Sequence, residues 1–306
     1  MAAYVPHSEE KSEKSVIGVI VHSFFVIPFL IAVFSVLLFA GVRILTMEQK
    51  TAYDLLNDVK IGSLTKRWQS AFELSKILAN PAFNLKEERF DAELISAFEQ
   101  SQHDDDRVRQ YLALAMGRSG KDKFVDVLLS ALQKEKEENL YALIYALGIL
   151  KSPKAVAGIS GYLEHPNPQV RLVVAMALGN IEDPAAVPLL KKTLNDSEPN
   201  VQWDTAISLA KLGDDSGRAI LLNLLNRNYL AKFPEVDLEE QTHVLLVTIE
   251  AAGRLDDPNL NQAIATLAQS DQNMNVRKLA MEISQGSSKK VESSKERVES
   301  NTWKGD

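Results

Sequence analysis

Arginine recurs at one position of a repeating sequence pattern, as Arg109, Arg171 and Arg277. Acidic residues recur in the segments between the repeats, for example at Asp196 and Asp271. A guanidinium binds carboxylates and phosphates through parallel hydrogen bonds, so two interpretations are open. The arginines either form an anion-binding site, or they pair with the acidic residues and hold successive repeats together.

The other residue types that carry catalysis are scarce or scattered. The chain has five His and no Cys, which excludes thiolate catalysis and cysteine-ligated zinc or iron–sulfur sites. His22 lies near one end of an apolar run, where a neutral imidazole is a simpler interpretation than a proton relay. The sequence contains no glycine-rich phosphate loop, no serine nucleophile elbow and no HExxH helix. It therefore predicts no catalytic residue, no cofactor and no metal.

The uncharged run Val16–Val42 is the strongest signal of a membrane segment. It is long enough to span about 30 Å of hydrocarbon with some tilt, and Pro28 predicts a kink. The alternative is a cleaved signal peptide, but its apolar stretch is normally about 7–15 residues long. We therefore expect a transmembrane helix at residues 16–42 after a polar tail at 1–15. Lys and Arg are nearly balanced on its two sides, so they do not decide the orientation; we expect the N-terminus inside and the remaining chain outside.

Beyond Thr46 the chain is built from copies of one pattern. The copies start at Lys66, Val108, Asn139, Val170, Val201, Val244 and Val276. The step is 31 residues from Val108 to Val201, and a longer step before Val244 marks an inserted loop around residues 228–240. Each copy predicts two short helices, which cannot bury their apolar face alone and must stack on their neighbours. We expect about seven helix pairs at residues 48–285, and a disordered tail rich in Ser, Lys and Glu at 286–306.

The pattern Val-Arg…Ala-x-Ala-Leu-Gly…Asp-Pro-x-Ala-x-x-x-Leu, which starts at Val170, resembles the short HEAT-like repeats that also occur in phycobilin lyases. This resemblance implies an all-α fold, a right-handed α-solenoid of stacked helix pairs, preceded here by one transmembrane helix. It also favours an Asp–Arg ladder between units over an anion site for the three arginines. Some HEAT-like enzymes bind iron through paired His-Glu dipeptides, whereas this chain has the reverse order once, at Glu164-His165.

In the middle units, the third, fourth and seventh positions are predicted to face the concave side of the solenoid, and most of them are apolar or aromatic. The candidate partner-binding residues are Tyr111, Leu114, Tyr141, Tyr145, Leu172, Met176, Trp203, Ile207 and Leu246. An exposed apolar strip commonly marks an interaction site, and Tyr, Trp and Met are enriched in interfaces. The end units carry polar residues there, for example Gln69 and Lys278, as capping units do. The alternative is that the helical phase is shifted by one and these side chains are core.

The expected function follows from the anchor, the solenoid and the charge. The net charge of −7 argues against a nucleic-acid partner, which requires an excess of cations. We expect a membrane-anchored, non-catalytic scaffold or adaptor that binds a membrane-associated protein on its concave face and the lipid bilayer through Val16–Val42. The alternative is an accessory subunit or enzyme of the HEAT-like lyase type, with a small ligand in the groove.

Overall fold

The computed structural model describes residues 22–46, 50–80 and 87–286. The predicted polar tail at 1–15, the start of the predicted membrane span at 16–21, the side chain of His22 and the predicted tail beyond Gly286 lie outside the described residues. The chain divides into two units, Met1–Thr51 and Ala52–Asp306. Each unit is described by itself.

The N-terminal unit contains one apolar helix. A π-helical turn, His22–Val26, leads into α1, Ile27–Thr46. The segment Ser23–Val42 has a mean hydropathy of 2.7 and is long and apolar enough to cross a membrane, a property that signal sequences share. The π-helical turn ends two residues before Pro28, which has no N–H to continue the α-helical ladder.

The second unit is built of short helices over the described residues. In chain order they are α2 (Ala52–Ile61), α3 (Leu64–Ile77), α4 (Glu88–Gln100), α5 (Asp106–Arg118), α6 (Lys123–Leu132), α7 (Glu137–Leu150), α8 (Lys154–Ser160), α9 (Pro168–Ile181), α10 (Val187–Thr193), α11 (Pro199–Lys211), α12 (Arg218–Leu224), α13 (Arg227–Leu230), α14 (Leu238–Ala252), α15 (Pro258–Ser270) and α16 (274–286). From α3 to α15 the described residues form six helix pairs, with α13 inserted before the last pair. In the copy that starts at Val276, the described residues contain only one helix, α16.

The helix that opens each pair ends at a position that recurs with the repeat. Residues Gly120, Lys151, Glu182 and Gly213 follow α5, α7, α9 and α11 at 31-residue steps, and all four have positive φ, between 53° and 78°. This left-handed conformation ends the helix and costs a non-glycine residue about 1 kcal/mol. The left-handed conformation at these positions is therefore set by the repeat, because Lys151 and Glu182 adopt it although they are not glycine.

The opening helices pack closely because glycine recurs on one side of them. A Cβ atom added to Gly117 would lie 2.8 Å from the Cα atom of Ala146, and one added to Gly148 would lie 2.8 Å from the Cα atom of Ala177. Only hydrogen fits there, so α5, α7 and α9 approach almost backbone to backbone. The closing helices, which complete each pair, approach one another less closely. A stack with unequal spacing curves toward its tighter layer, so the opening helices form the concave face.

The core runs along the stack in two clusters that meet at α11. Leu209 belongs to the first cluster, whereas Trp203 and Ile207 belong to the second. The division lies next to the insertion that carries α13, where α11 and α14 approach less closely than the preceding opening helices. The prediction of an all-α solenoid of stacked helix pairs is confirmed.

Candidate functional site

The concave face carries most of the predicted strip. Seven of the nine predicted residues are partly or fully exposed there: Tyr111, Leu114, Tyr141, Tyr145, Leu172, Met176 and Leu246. Tyr141 is the most open of the aromatic ones, with 49% of its surface exposed. Residues 142–144, which lie between Tyr141 and Tyr145 in α7, are buried. The third- and seventh-position side chains of these units therefore line a groove, whereas the exposure predicted for the fourth position is wrong at Ala142 and Val173, which are buried.

The exposure predicted for Trp203 and Ile207 is wrong, because both side chains are only 6% exposed. The inserted segment covers Trp203. Phe233 meets its ring edge-on at a centroid distance of 4.8 Å, and Tyr229 lies 6.2 Å away. The sequence showed where the insertion occurs, but its folding back onto α11 depends on contacts between segments about 30 residues apart. Trp203, Tyr229 and Phe233 thus form an aromatic cluster between α11 and the inserted segment.

Two tyrosines form the aromatic centre of the groove. Tyr141 and Tyr145 lie one turn apart on α7, and their rings stack with centroids 6.1 Å apart and planes 12° apart. Tyr111 on α5 contacts Phe72 on α3 edge-on at 5.1 Å. The aromatic surface thus continues across neighbouring units, because equivalent positions of the repeat lie side by side.

Asp204 interrupts this apolar surface. It occupies the repeat position of the buried residues Ala142 and Val173, and it is half-buried. Among the described residues it accepts no hydrogen bond and forms no ion pair within 4.0 Å. Burial raises the pKa of Asp204 from 3.8 to about 6, and the positive charge of Lys211 offsets only part of this effect. A carboxylate that is desolvated without a partner is a functional-site candidate.

The helix that carries the tyrosine pair, α7, and the helix that carries Asp204, α11, both pack against α9. The pKa of Tyr141 is raised first by burial, then by Tyr145 and then by the negative charge of Asp204. Asp204 is the fourth position of the copy that starts at Val201, a position predicted to face the concave side, and the sequence assigned it no role. One signal in the sequence could have identified Asp204 as a candidate. It is an acidic residue in a row that is otherwise apolar, and the equivalent residue one repeat earlier is Val173.

The far edge of the groove is charged, and its charges are paired. Lys211 donates a hydrogen bond to the side-chain oxygen of Asn180 at 3.0 Å. Arg254 lies 3.2 Å from a Glu182 carboxylate oxygen, and Lys151 lies 3.7 Å from the same oxygen. Arg254 is the main cause that lowers the pKa of Glu182, whereas burial lowers the pKa of Lys211. These contacts hold cations at this edge but leave Asp204 without a direct partner.

Arg109 and Arg171 form the predicted ladder with acidic residues, whereas the carboxylate of Asp271 is bound by Arg227 and not by Arg277. Arg171 makes two hydrogen bonds to Asp196, at 2.8 and 2.7 Å, and Arg109 pairs with Glu135 at 2.6 Å. Arg277 donates to a backbone carbonyl in the turn that precedes α16. Each acidic partner follows a closing helix and precedes the next opening helix. The guanidinium groups therefore connect successive units, which favours the ladder over the anion site.

Histidine and carboxylate groups do not assemble a metal site in the part of the chain that the structure describes. His165 accepts a hydrogen bond at Nδ1 from the backbone N–H of Asn167, at 3.1 Å, and its ring stacks on Tyr162. Both contacts shape the turn before α9. His165 thus has a structural role there.

A comparison with family models agrees with this architecture. The model described as HEAT repeats matches residues 92–163 and 158–231. The chain contains HEAT repeats. The matched residues extend from α4 to the insertion, so this HEAT-repeat protein carries its groove largely within them. No curated protein matches the chain.

Solved structures show a similar fold. One chain of the complex of CpcE and CpcF of phycocyanin lyase from Nostoc sp. PCC7120 is 21% identical, with a TM-score of 0.53, and the match covers 78% of this chain and 96% of that chain. An engineered protein is 17% identical with a TM-score of 0.37, over 79% of this chain and 98% of that one. Human deoxyhypusine hydroxylase, in complex with glycerol, is 15% identical with a TM-score of 0.33, over 77% and 96%.

Proposed function

We propose that this HEAT-repeat protein is a membrane-anchored, non-catalytic adaptor whose concave face binds a segment of a membrane-associated partner protein. The observation that carries the proposal is the row of seven partly exposed apolar residues across the opening helices. Water-facing positions of an unoccupied surface are usually polar, and a contiguous apolar patch commonly marks an interface. Tyrosine and methionine within it are side chains that interfaces favour.

Two further observations support the proposal. The chain of similar fold from Nostoc assembles with another protein, as CpcE with CpcF. The helix Ser23–Val42 is apolar over a length sufficient for a bilayer. An anchor would confine the solenoid to the membrane surface, where a higher effective concentration makes weak contacts with other membrane proteins productive.

Site-specific photo-crosslinking tests the partner-binding face. A benzophenone amino acid replaces Tyr141 in the groove or, as a matched control, Lys192 on the outer helix α10; both native side chains are exposed. We expect discrete adducts with another protein only from position 141. Identical adducts from both positions, or none from position 141, would contradict a binding role for the concave face.

Alkaline extraction of membranes tests the anchor. The full chain should stay in the membrane pellet, whereas a chain without residues 1–47 should become soluble and keep its helical circular dichroism. Release of the full chain by alkali would contradict an integral anchor, and loss of residues before position 42 from the mature protein would identify a signal sequence instead. A reporter fused to the C-terminus tests the expected outward location of the solenoid.

The lyase-type alternative rests on the structural similarity to a chain of phycocyanin lyase. It places a small ligand in the groove rather than a polypeptide. Addition of a free bilin to the purified protein distinguishes the two: the adaptor should leave the absorbance of the bilin unchanged. A stoichiometric spectral shift that disappears when Tyr141 and Tyr145 are replaced would favour the lyase-type alternative.

A further inference from the structure

We infer that the partner segment places a lysine or arginine side chain in the concave groove, between the stacked tyrosines Tyr141 and Tyr145 and the carboxylate of Asp204. This inference rests on the proposed function and specifies the chemistry of the partner. It concerns the middle of the groove, where α7, α9 and α11 lie side by side.

Charge complementarity favours a basic side chain in this part of the groove. Asp204 is half-buried and has no hydrogen-bond or ion-pair partner among the described residues. A buried carboxylate is normally paired. Lys211, the cation on the same helix, is held by Asn180 at 3.0 Å and does not reach within 4.0 Å of Asp204. A cation brought by a partner would supply the missing counter-charge.

An aromatic surface on α7 also favours a basic side chain. Tyr141 and Tyr145 expose stacked rings in the groove, and the negative charge of Asp204 acts on Tyr141. Ring faces attract cations, and attraction increases where water is excluded. An aromatic pair combined with one unpaired carboxylate favours a basic side chain over an acidic or purely apolar one.

Apolar side chains on α9 define the surroundings of this basic side chain. Leu172 and Met176 on α9 continue the apolar row between the tyrosines and α11, and both are partly exposed. The aliphatic stem of a lysine or arginine would lie along them while its charged end reaches Asp204. The residues that flank the basic one in the partner are therefore expected to be apolar.

A peptide selection tests the inference on the full chain in nanodiscs. The probe is a phage-displayed library of random dodecapeptides, selected on the wild-type protein. We expect the selected peptides to share one Lys or Arg flanked by apolar residues, and to lose about 30-fold or more in affinity on Asp204→Asn. Asp126→Asn, which changes an exposed carboxylate on the outer helix α6, is the matched control and should leave the affinity unchanged.

A double-mutant cycle separates the charge contact from a general disturbance of the groove. Replacement of the shared Lys by norleucine should weaken binding to the wild type, and should have no further effect on Asp204→Asn. Additive losses in the two changes would overturn the inference. Peptides that lack a basic residue but lose binding on Tyr141→Ser would overturn it as well, while supporting the adaptor function.

The same peptide experiment also shows whether something other than a partner protein occupies the groove. If the peptides bind only after deletion of residues 287–306, the chain's own C-terminal segment fills the groove and the inference is wrong. Dimerisation that depends on Asp204 would show that a second copy fills it, which also overturns the inference. If no peptide binds in the groove of either form, the proposed function fails together with the inference.

Discussion

Replacing Asp204 by Asn is expected to stabilise the solenoid at neutral pH. The change keeps the shape of the side chain and removes a charge that burial makes unfavourable. The pKa of Asp204 is about 6 in the fold against an ordinary value of 3.8. A difference of roughly 2 pKa units corresponds to about 3 kcal/mol in the free energy of unfolding. Because the residue is only half-buried and water enters the groove, we expect a gain of about 1–3 kcal/mol.

The sign of the pH dependence follows from the raised pKa. The folded protein holds the proton of Asp204 more tightly than the unfolded chain does. The stability associated with neutral Asp204 is therefore complete below about pH 3.8 and is lost as the pH rises through about 6. The difference in stability between the variant and the wild type should be largest above pH 7 and close to zero near pH 4. Lys211 lowers the pKa of Asp204 and so brings it closer to the ordinary value of 3.8. The pH range over which stability is lost is therefore narrower, but stability still falls as the pH rises.

Urea unfolding followed by circular dichroism measures this difference at each pH, and an unchanged m-value shows that the same unfolding transition is compared. Asp196→Asn is the control with the opposite sign. Arg171 lowers the pKa of Asp196, so this variant should lose stability at pH 7.5 and approach the wild type as the pH falls. An Asp204→Asn variant that is less stable at pH 7.5, or equally stabilised at pH 4 and pH 7.5, would refute the argument.

The packing of the solenoid leads to two further predictions, each measured by the shift in urea midpoint. Gly148→Ala should destabilise the protein by about 1–3 kcal/mol, because the new Cβ would lie 2.8 Å from the Cα of Ala177. Gly161→Ala, which meets nothing within 4 Å and has helical φ, is the control and should be neutral or slightly stabilising. Trp203→Ala should cost about 3–5 kcal/mol as a core truncation, whereas Tyr141→Ala should cost less than about 1 kcal/mol. Equal losses at Gly148 and Gly161, or at Trp203 and Tyr141, would contradict the assigned packing.

The repeat made the fold predictable, and the same regularity placed most of the candidate site. Positions such as Tyr141 and Leu172 recur at one step along the chain, so one correct helical phase assigns them all to the concave face. The helical phase did not predict the burial of Trp203 and Ile207. These residues lie in the copy that precedes the insertion, where the distance to the next copy is no longer 31 residues. The repeat period predicts only the contacts between equivalent positions of neighbouring copies. Phe233 lies in the inserted segment, outside the repeat, so the period does not predict its contact with Trp203.

The sequence by itself determined the stacked helix pairs, the arginine ladder and the apolar helix near the N-terminus. All three depend on interactions between adjacent units or within one helix, and these are encoded by local spacing. Only the tertiary structure decided that the inserted segment covers Trp203, and that Asp204 lies unpaired beside the stacked tyrosines. Those features depend on which side chains are buried between segments that are distant in the sequence. The free energy of that burial depends on the three-dimensional arrangement of the helices, and local spacing does not encode it.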